Sequence, residues 1–200
     1  MIWELGLVAV AYLLGSLPSA LLVVNLTTGK DIRREGSGNV GAANATRTGG
    51  LVAGAVVTIM DVLKGVLPVW AMSMLNPASP WIAAALVAAV VGHCYPIWLR
   101  FHGGKGVATA FGGYLFLSLT AALTAMGVWI VVLLVGRRVS LASLAATVSF
   151  PILLVFMDRP AAAVLGAVSA VSVLIVFRHR SNIRRLIDGT EPRISDREDA

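Results

Sequence analysis

Leu51–Leu75 reads LVAGAVVTIMDVLKGVLPVWAMSML, and only Asp61 and Lys64 in it carry charge. A run of about 18–25 apolar residues can cross a bilayer as a helix. The stretch therefore predicts a membrane span with an acid and a base near its middle. Such charges cost about 2.5–3.5 kcal/mol each at the centre of a span, and they usually face the protein interior or a water-filled cavity. Asp61 and Lys64 stand at i, i+3, which puts them on one helix face and lets them pair. The plain role is an ion pair that orients the helix. The alternative is a share in a polar site.

The pattern repeats on both sides. Met1–Val24 carries only Glu4, and Trp81–Leu99, Gly106–Ser118, Ala121–Gly136, Leu141–Met157 and Ala161–Phe177 contain no Asp, Glu, Lys or Arg. A cleaved signal peptide fits the first run poorly, because it lacks a basic leader and its apolar part is too long. The expected spans are thus about 3–24, 51–75, 81–99, 106–118, 121–136, 141–157 and 161–177. The fourth is short: as a helix it reaches about 20 Å, against a hydrocarbon core of about 30 Å.

Composition agrees. The 200 residues are 58% apolar and 13% charged, where soluble domains carry about 25% charged residues. That excludes an ordinary soluble domain and simple disorder. Cys94 is the only cysteine, so a disulfide scaffold is excluded too. The net charge of +6 and the pI near 10.2 would suit a nucleic-acid binder, but the placement of the charge decides otherwise. If all seven runs cross, Asn25–Gly50, Arg100–Lys105, Arg137–Ser140 and Arg178–Ala200 share one side and hold 14 of the 16 Lys and Arg. Cationic loops mark the cytoplasmic side. Without a crossing at Gly106–Ser118 the later cations would scatter to inconsistent sides. The expectation is an all-α integral membrane protein with seven transmembrane helices, the fourth short, the N-terminus outside and the C-terminus cytoplasmic. It forms one membrane-embedded domain over 1–200 with a cytoplasmic tail at 178–200. Nucleic acid is not an expected partner, and the sequence is compatible with a monomer without fixing the oligomeric state.

Four cytoplasmic segments carry more polar chemistry than topology needs. Gly36–Arg47, GSGNVGAANATR, has the Gly, Ser and Asn of a tight backbone that presents N–H groups to an anion, and Arg47 adds a planar fork. A plain glycine-rich connection followed by a basic anchor is the other reading. The Asp61–Lys64 pair is the second. Gly92–Thr109, GHCYPIWLRFHGGKGVAT, contains GGKG, which suits a phosphate-binding loop, although the nucleotide pattern G-x-x-x-x-G-K-[ST] is absent. A short helix beginning near Lys105 would aim its N-terminus at an anion. His93 and His102 lack the companions of a metal site. The fourth is Arg178–Glu191, RHRSNIRRLIDGTE. A polybasic segment on anionic lipid explains Arg184 and Arg185, but not His179, Ser181 and Asn182. Many cations, glycine turns and few carboxylates favour a phosphorylated anion as substrate.

These stretches, with DVLKG at Asp61–Gly65 and YLLGSLPSALLV at Tyr12–Val23, resemble the PlsY family of bacterial acyl-phosphate:glycerol-3-phosphate acyltransferases. The likeness runs in order along essentially the whole chain. It implies a seven-helix enzyme of the bacterial inner membrane with its site facing the cytoplasm. The enzyme would move a fatty acyl group from acyl phosphate to the 1-hydroxyl of sn-glycerol 3-phosphate in phospholipid biosynthesis. The products would be 1-acylglycerol 3-phosphate (lysophosphatidate) and phosphate. Acyl phosphate, glycerol 3-phosphate and membrane lipids are the implied partners, with no metal and no cofactor. By the resemblance, Ser37, Lys105, His179 and Asn182 are the catalytic positions. Ser37, Gly38, Asn39, Asn44, Arg47, Gly103, Gly104, Lys105, Gly106, Ser181 and Asn182 bind substrate. Asp61, Lys64 and His93 support the site.

The bare residues fit this chemistry. Acyl phosphate is already a mixed anhydride, so no acyl-enzyme is required, and no G-x-S-x-G motif is present. The H-x4-D pattern of another acyltransferase class is also absent: the residues five beyond His93, His102 and His179 are Trp98, Val107 and Arg184. The proton acceptor is either His179, by its titration range, or the donor's own phosphate. Two other classes compete. An organic-phosphate transporter would use the charges at Asp61 and Lys64, but the chemical residues collect on one face. A CDP-alcohol phosphatidyltransferase would need an Asp-rich metal motif, which is missing.

Overall fold

The computed structural model describes residues 2–75 and 80–194. Residues 76–79 and the end of the tail, 195–200, lie outside them. The described chain is helical without strands. It falls into two compact units, Met1–Phe116 and Leu117–Ala200.

The first unit begins with α1 (Ile2–Ser16) and α2 (Ser19–Thr28). The expected first span is present over Ile2–Thr28, with its helix interrupted between the two. Pro18 has no N–H to continue the helix and disfavours helical geometry at Leu17. Gly29 then ends α2 in the left-handed region, φ 72°, with its N–H on the Asn25 carbonyl, the usual helix stop. α3 (Ala42–Leu75) is interrupted at Gly50, whose φ of 82° and ψ of 178° are non-helical. The expected span start at Leu51 therefore coincides with a real break. The preceding Ala42–Gly49 is helical, where the sequence suggested an open loop. α4 (Trp81–Cys94) stops before Tyr95-Pro96, and a short 3-10 turn, Ile97–Leu99, completes the stretch expected to be one helix. α5 (Val107–Leu117) is apolar but only 11 residues long, about 16 Å.

Close backbone contact sets the packing. A side chain at Gly15 would run into the Ala89 backbone and one at Gly92 into the Tyr12 carbonyl, so α1 and α4 approach closely. Gly65 and Gly112 do the same for α3 and α5 against Thr109 and Val62. Small residues are how membrane helices gain contact when lipid and side chains are equally apolar.

The second unit is α6 (Leu119–Gly136), α7 (Val139–Asp158), α8 (Ala162–Arg178) and α9 (Arg180–Ile187). Ser118 caps α6 by accepting from the Ala121 N–H at 3.1 Å, and its hydroxyl also meets Asp158 at the end of α7. Trp129 donates to Ser143, and Ser172 to the Thr147 carbonyl, pinning α6 and α8 to α7. α9 departs from α8 by 58°.

Among the described residues five helical segments are long and apolar enough to cross a membrane: Ile2–Thr28, Ala42–Leu75, Trp81–Leu99, Leu119–Gly136 and Val139–Asp158. α8 with α9 makes a sixth if the bent pair counts as one span.

Candidate active site

The first site segment lies between α2 and α3, and Asn44 organises it. Its buried amide donates to the Ile32 and Glu35 carbonyls at 3.2 and 3.0 Å and accepts the Ser37 N–H at 3.0 Å. One side chain thus ties three points of the loop to the first turn of α3. Gly36 and Gly38 take φ of 54° and 68°, a region that side chains other than glycine rarely enter. At Gly36 a Cβ would also strike the Asn44 oxygen. Ser37 and Gly38 are left exposed and Asn39 half-buried. Arg47 is exposed one turn beyond Asn44, on a helix rather than in a loop. Next to this segment, Asp31 accepts from the Arg33 guanidinium at 2.6–3.2 Å and from its backbone N–H. That guanidinium first, and the N–H second, hold the Asp31 carboxyl down at about 2.

The second cluster is buried in the same unit. Asp61 Oδ1 accepts from Ser19 Oγ at 2.5 Å and from Lys64 Nζ at 2.9 Å, and it faces His93 Nδ1 at 3.7 Å. Lys64 Nζ also donates to Ser19 Oγ at 2.8 Å and to the Leu17 carbonyl at 2.5 Å. An ammonium has three donors, and here all three are used inside the protein. At the break before Pro18 the Leu17 carbonyl accepts the Ser19 N–H at 2.9 Å, and Lys64 is its second donor. The intramembrane pair expected from spacing therefore exists, and it also secures a broken helix.

The glycine segment lies against this cluster. The N–H groups of Gly103 and Gly104 donate to the Cys94 and His93 carbonyls at 3.1 and 3.0 Å, folding the loop back on the end of α4. Tyr12 reaches the next carbonyl, that of Tyr95, at 2.9 Å. A side chain on Gly104 would meet the His93 ring at Nε2, and one on Gly103 would meet the His93 carbonyl and Pro96. Lys105 is half-buried, and Gly106, at φ 85°, leads into α5. His102 is exposed, with Nδ1 at 2.6 Å from the Arg100 carbonyl.

In the second unit His179 sits at the bend between α8 and α9 and is 2% exposed. Its Nδ1 lies 2.8 Å from the Ile175 carbonyl. A carbonyl only accepts, so Nδ1 carries a hydrogen, which leaves Nε2 as the acceptor whenever the ring is neutral. Asn182, one turn on, is buried and donates to Glu191 Oε1 at 2.7 Å. Glu191 also receives Ser140 Oγ at 2.6 Å and Arg185 Nε at 2.7 Å, while its backbone carbonyl accepts from Arg138 at 3.0 Å. Burial pushes the Glu191 carboxyl up, but the bonds from Ser140, Asn182 and Arg185 outweigh it and leave the group below its ordinary value. Ser181 is exposed on α9.

Within the first unit, then, Asn44 joins Ser37, and His93 joins Gly103, Gly104, Asp61 and Lys64. Within the second, His179 and Asn182 stand on successive turns. Tyr12, Ser19, Ser140 and Glu191 were not singled out from sequence. Ser19 had a partial signal: it directly follows Pro18, where a helix must restart, and its N–H serves the Leu17 carbonyl at 2.9 Å. Glu191 had a weaker one, as a carboxylate closing a strongly basic segment. Among the described residues no three His, Cys, Asp or Glu side chains gather as metal ligands.

Residues 5–189 match the family described as "Glycerol-3-phosphate acyltransferase". A glycerol-3-phosphate acyltransferase of Geobacter sulfurreducens is 43% identical over 96% of this chain and 98% of its own. One from Rubrobacter xylanophilus is 43% identical over 97% and 96%. The fold is similar to a crystal structure of PlsY, an integral membrane glycerol 3-phosphate acyltransferase, in its glycerol 3-phosphate form. The TM-score is 0.92, with 41% identity over 96% of this chain and 95% of that one. The lysophosphatidic acid form of PlsY is similar at TM-score 0.88 and 39% identity, over 96% of each chain.

Proposed function

The chain belongs to the glycerol-3-phosphate acyltransferase family and is an integral membrane protein, and from that premise we propose the specific reaction. It transfers a fatty acyl group from acyl phosphate to the 1-hydroxyl of sn-glycerol 3-phosphate. The hydroxyl oxygen forms the new ester bond to the acyl carbon, the acyl–phosphate bond breaks, and inorganic phosphate leaves with 1-acylglycerol 3-phosphate as the other product.

The observation that carries this reading is the way two glycine-rich cationic segments are built. Each is a backbone loop braced from behind by a buried side chain, Asn44 at Ser37 and His93 at Gly104. Two phosphorylated substrates need two such grips, and rigid support keeps reacting groups in register. In the first unit Ser37, Gly38, Asn39 and Arg47 form one grip. Gly103, Gly104, Lys105 and Gly106 form the other, and Asn44 shapes the first. In the second unit Asn182, with Ser181 beside it, supplies donors toward charge developing on the reacting carbonyl. His179 takes the hydroxyl proton at Nε2, a role supported by its Nδ1 contact with Ile175. The departing phosphate needs no covalent help, because an acyl phosphate is activated already.

The topology that goes with this reaction is seven spans, with α5 the short fourth, the N-terminus outside and the C-terminus inside. One acyltransferase domain over 1–200 sits in the bacterial inner membrane. The cation distribution supports it, and it lets a lipid-soluble donor and a cytosolic acceptor meet at cytoplasmic helix ends. The transporter reading loses its main support, since Lys64 has no donor left for a passing anion.

Purified protein given acyl phosphate and glycerol 3-phosphate should release phosphate and form lysophosphatidate in equal amounts. Activity with an acyl thioester but not with acyl phosphate would overturn the donor assignment. Uptake of glycerol 3-phosphate into proteoliposomes without phosphate release would overturn the reaction.

A further inference from the structure

The Asp61 cluster and the glycine loop meet at one imidazole. Asp61 is 2% exposed and His93 8%, and the carboxylate faces the ring's Nδ1 at 3.7 Å. Asp61 is itself held by Ser19 and Lys64, which are fixed to the break between α1 and α2. The far side of the ring, at Nε2, occupies the space a side chain on Gly104 would need. The loop cannot move toward α4 without striking that ring. Nor can it move away without losing the bonds from the Gly103 and Gly104 N–H groups to the end of α4. The next residue is Lys105.

We propose that His93, packed between Asp61 and Gly104, is a positioning residue that sets the phosphate grip of the Gly103–Lys105 loop. The inference rests on the reading of that loop as a substrate grip. It gives the intramembrane charges a purpose beyond pairing: they back the imidazole against which a glycine backbone is registered. The absence of a Cβ at Gly104 is then a matter of fit to His93.

That fit can be tested by exchanging the two volumes. Gly104→Ala and His93→Ala should each raise KM for one phosphorylated substrate about tenfold or more while kcat changes less than about threefold, as for a displaced binding group. The double variant should be no worse than the poorer single, because the new methyl enters space the ring has vacated. Asp61→Asn should add nothing to KM once His93 is alanine. A purely structural role would lower the active fraction, and hence Vmax, at unchanged KM, and that result overturns the proposal. So does a double variant whose KM defect is the product of the two singles. A second readout needs no turnover: the concentration of glycerol 3-phosphate, or of inorganic phosphate, giving half-maximal thermal stabilisation. If the wild type binds but does not turn over, the proposed reaction fails, and the volume exchange is judged from these curves. A wild type that does neither removes the premise and the proposal together.

Discussion

Each unit contains a carboxylate that gathers donors from distant parts of its chain, and the two do so under different dielectric conditions. Asp61 lies within a membrane span, and its Ser19 partner is 42 residues away. It is bonded to an ammonium that is 6% exposed. Glu191 lies in the tail beyond α9, bonded to Ser140, 51 residues away, to Asn182, and to an Arg185 that is 42% exposed. Both brace a helix break, at Pro18 in one unit and near the α8–α9 bend in the other. The difference lies in what happens when a partner is removed. A buried charge left uncompensated is severe, whereas water can replace a half-exposed guanidinium at little cost.

The sharpest way to break this comparison is Lys64→Met. It strands the Asp61 charge and removes one of the two donors to the Leu17 carbonyl. The expected loss is about 3–5 kcal/mol of stability, read as a large drop in the unfolding midpoint of the detergent-purified protein. A midpoint near that of the wild type would show that the Asp61 site is not dry. Lys105→Ala separates grip from brace. It should cost about 3 kcal/mol of transition-state stabilisation, measured as kcat/KM, with the unfolding midpoint little changed. A stability loss matching that of Lys64→Met would place Lys105 in the brace.

The comparison also shows what was legible in the sequence. Apolar run lengths located α6, α7 and α8 to within two residues, because lipid tolerates no charge and the edges of each run are abrupt. The pair at Asp61 and Lys64 was readable from i, i+3 spacing alone. The expected first span stands as Ile2–Thr28, but the helix break inside it went unread because a hydropathy pattern is blind to a missing N–H. The helical start of α3 was hidden by its Gly, Ala and Asn content, which looks like a loop. In fact Asn44 is consumed in stapling Ile32, Glu35 and Ser37. Their excess over what lipid attraction needs, and the family resemblance, picked out His179 and Asn182, but Glu191, which holds Asn182, depends on tertiary placement nine residues on. Hydrophobic pattern reports what lipid sees. It does not report which interior polar atoms find one another.

Glu191→Gln sharpens the contrast. The amide keeps an acceptor for Ser140 or Asn182 but loses the charge that Arg185 meets, so about 1–2 kcal/mol should go. The pH dependence has a definite sign. A carboxyl held below its ordinary value of 4.5 stabilises the fold above that value, and the contribution is lost as pH falls through its folded value. Acid should therefore narrow the gap in midpoint between wild type and Glu191→Gln. A gap that widens on acidification would sink the assignment.

The smallest expected effect belongs to a third carboxylate, Asp31. By pKa alone it is strongly held, at about 2 against an ordinary 3.8, so its linkage sign matches that of Glu191: stabilising above the ordinary value and lost as pH falls toward 2. Yet its partner, Arg33, is two residues away and 52% exposed. The unfolded chain can make much of the same contact, and water screens what remains. Asp31 also caps the Ile32–Arg34 turn by accepting the Arg33 N–H at 3.0 Å, a task asparagine performs equally well. Asp31→Asn should therefore leave the unfolding midpoint and kcat/KM unchanged at neutral pH. A measurable loss of either would mean that the charge itself, and not the turn, serves the loop before Ser37. Depth of burial of the partner, rather than depression of the carboxyl, would then no longer separate Asp61 from the two carboxylates outside the spans.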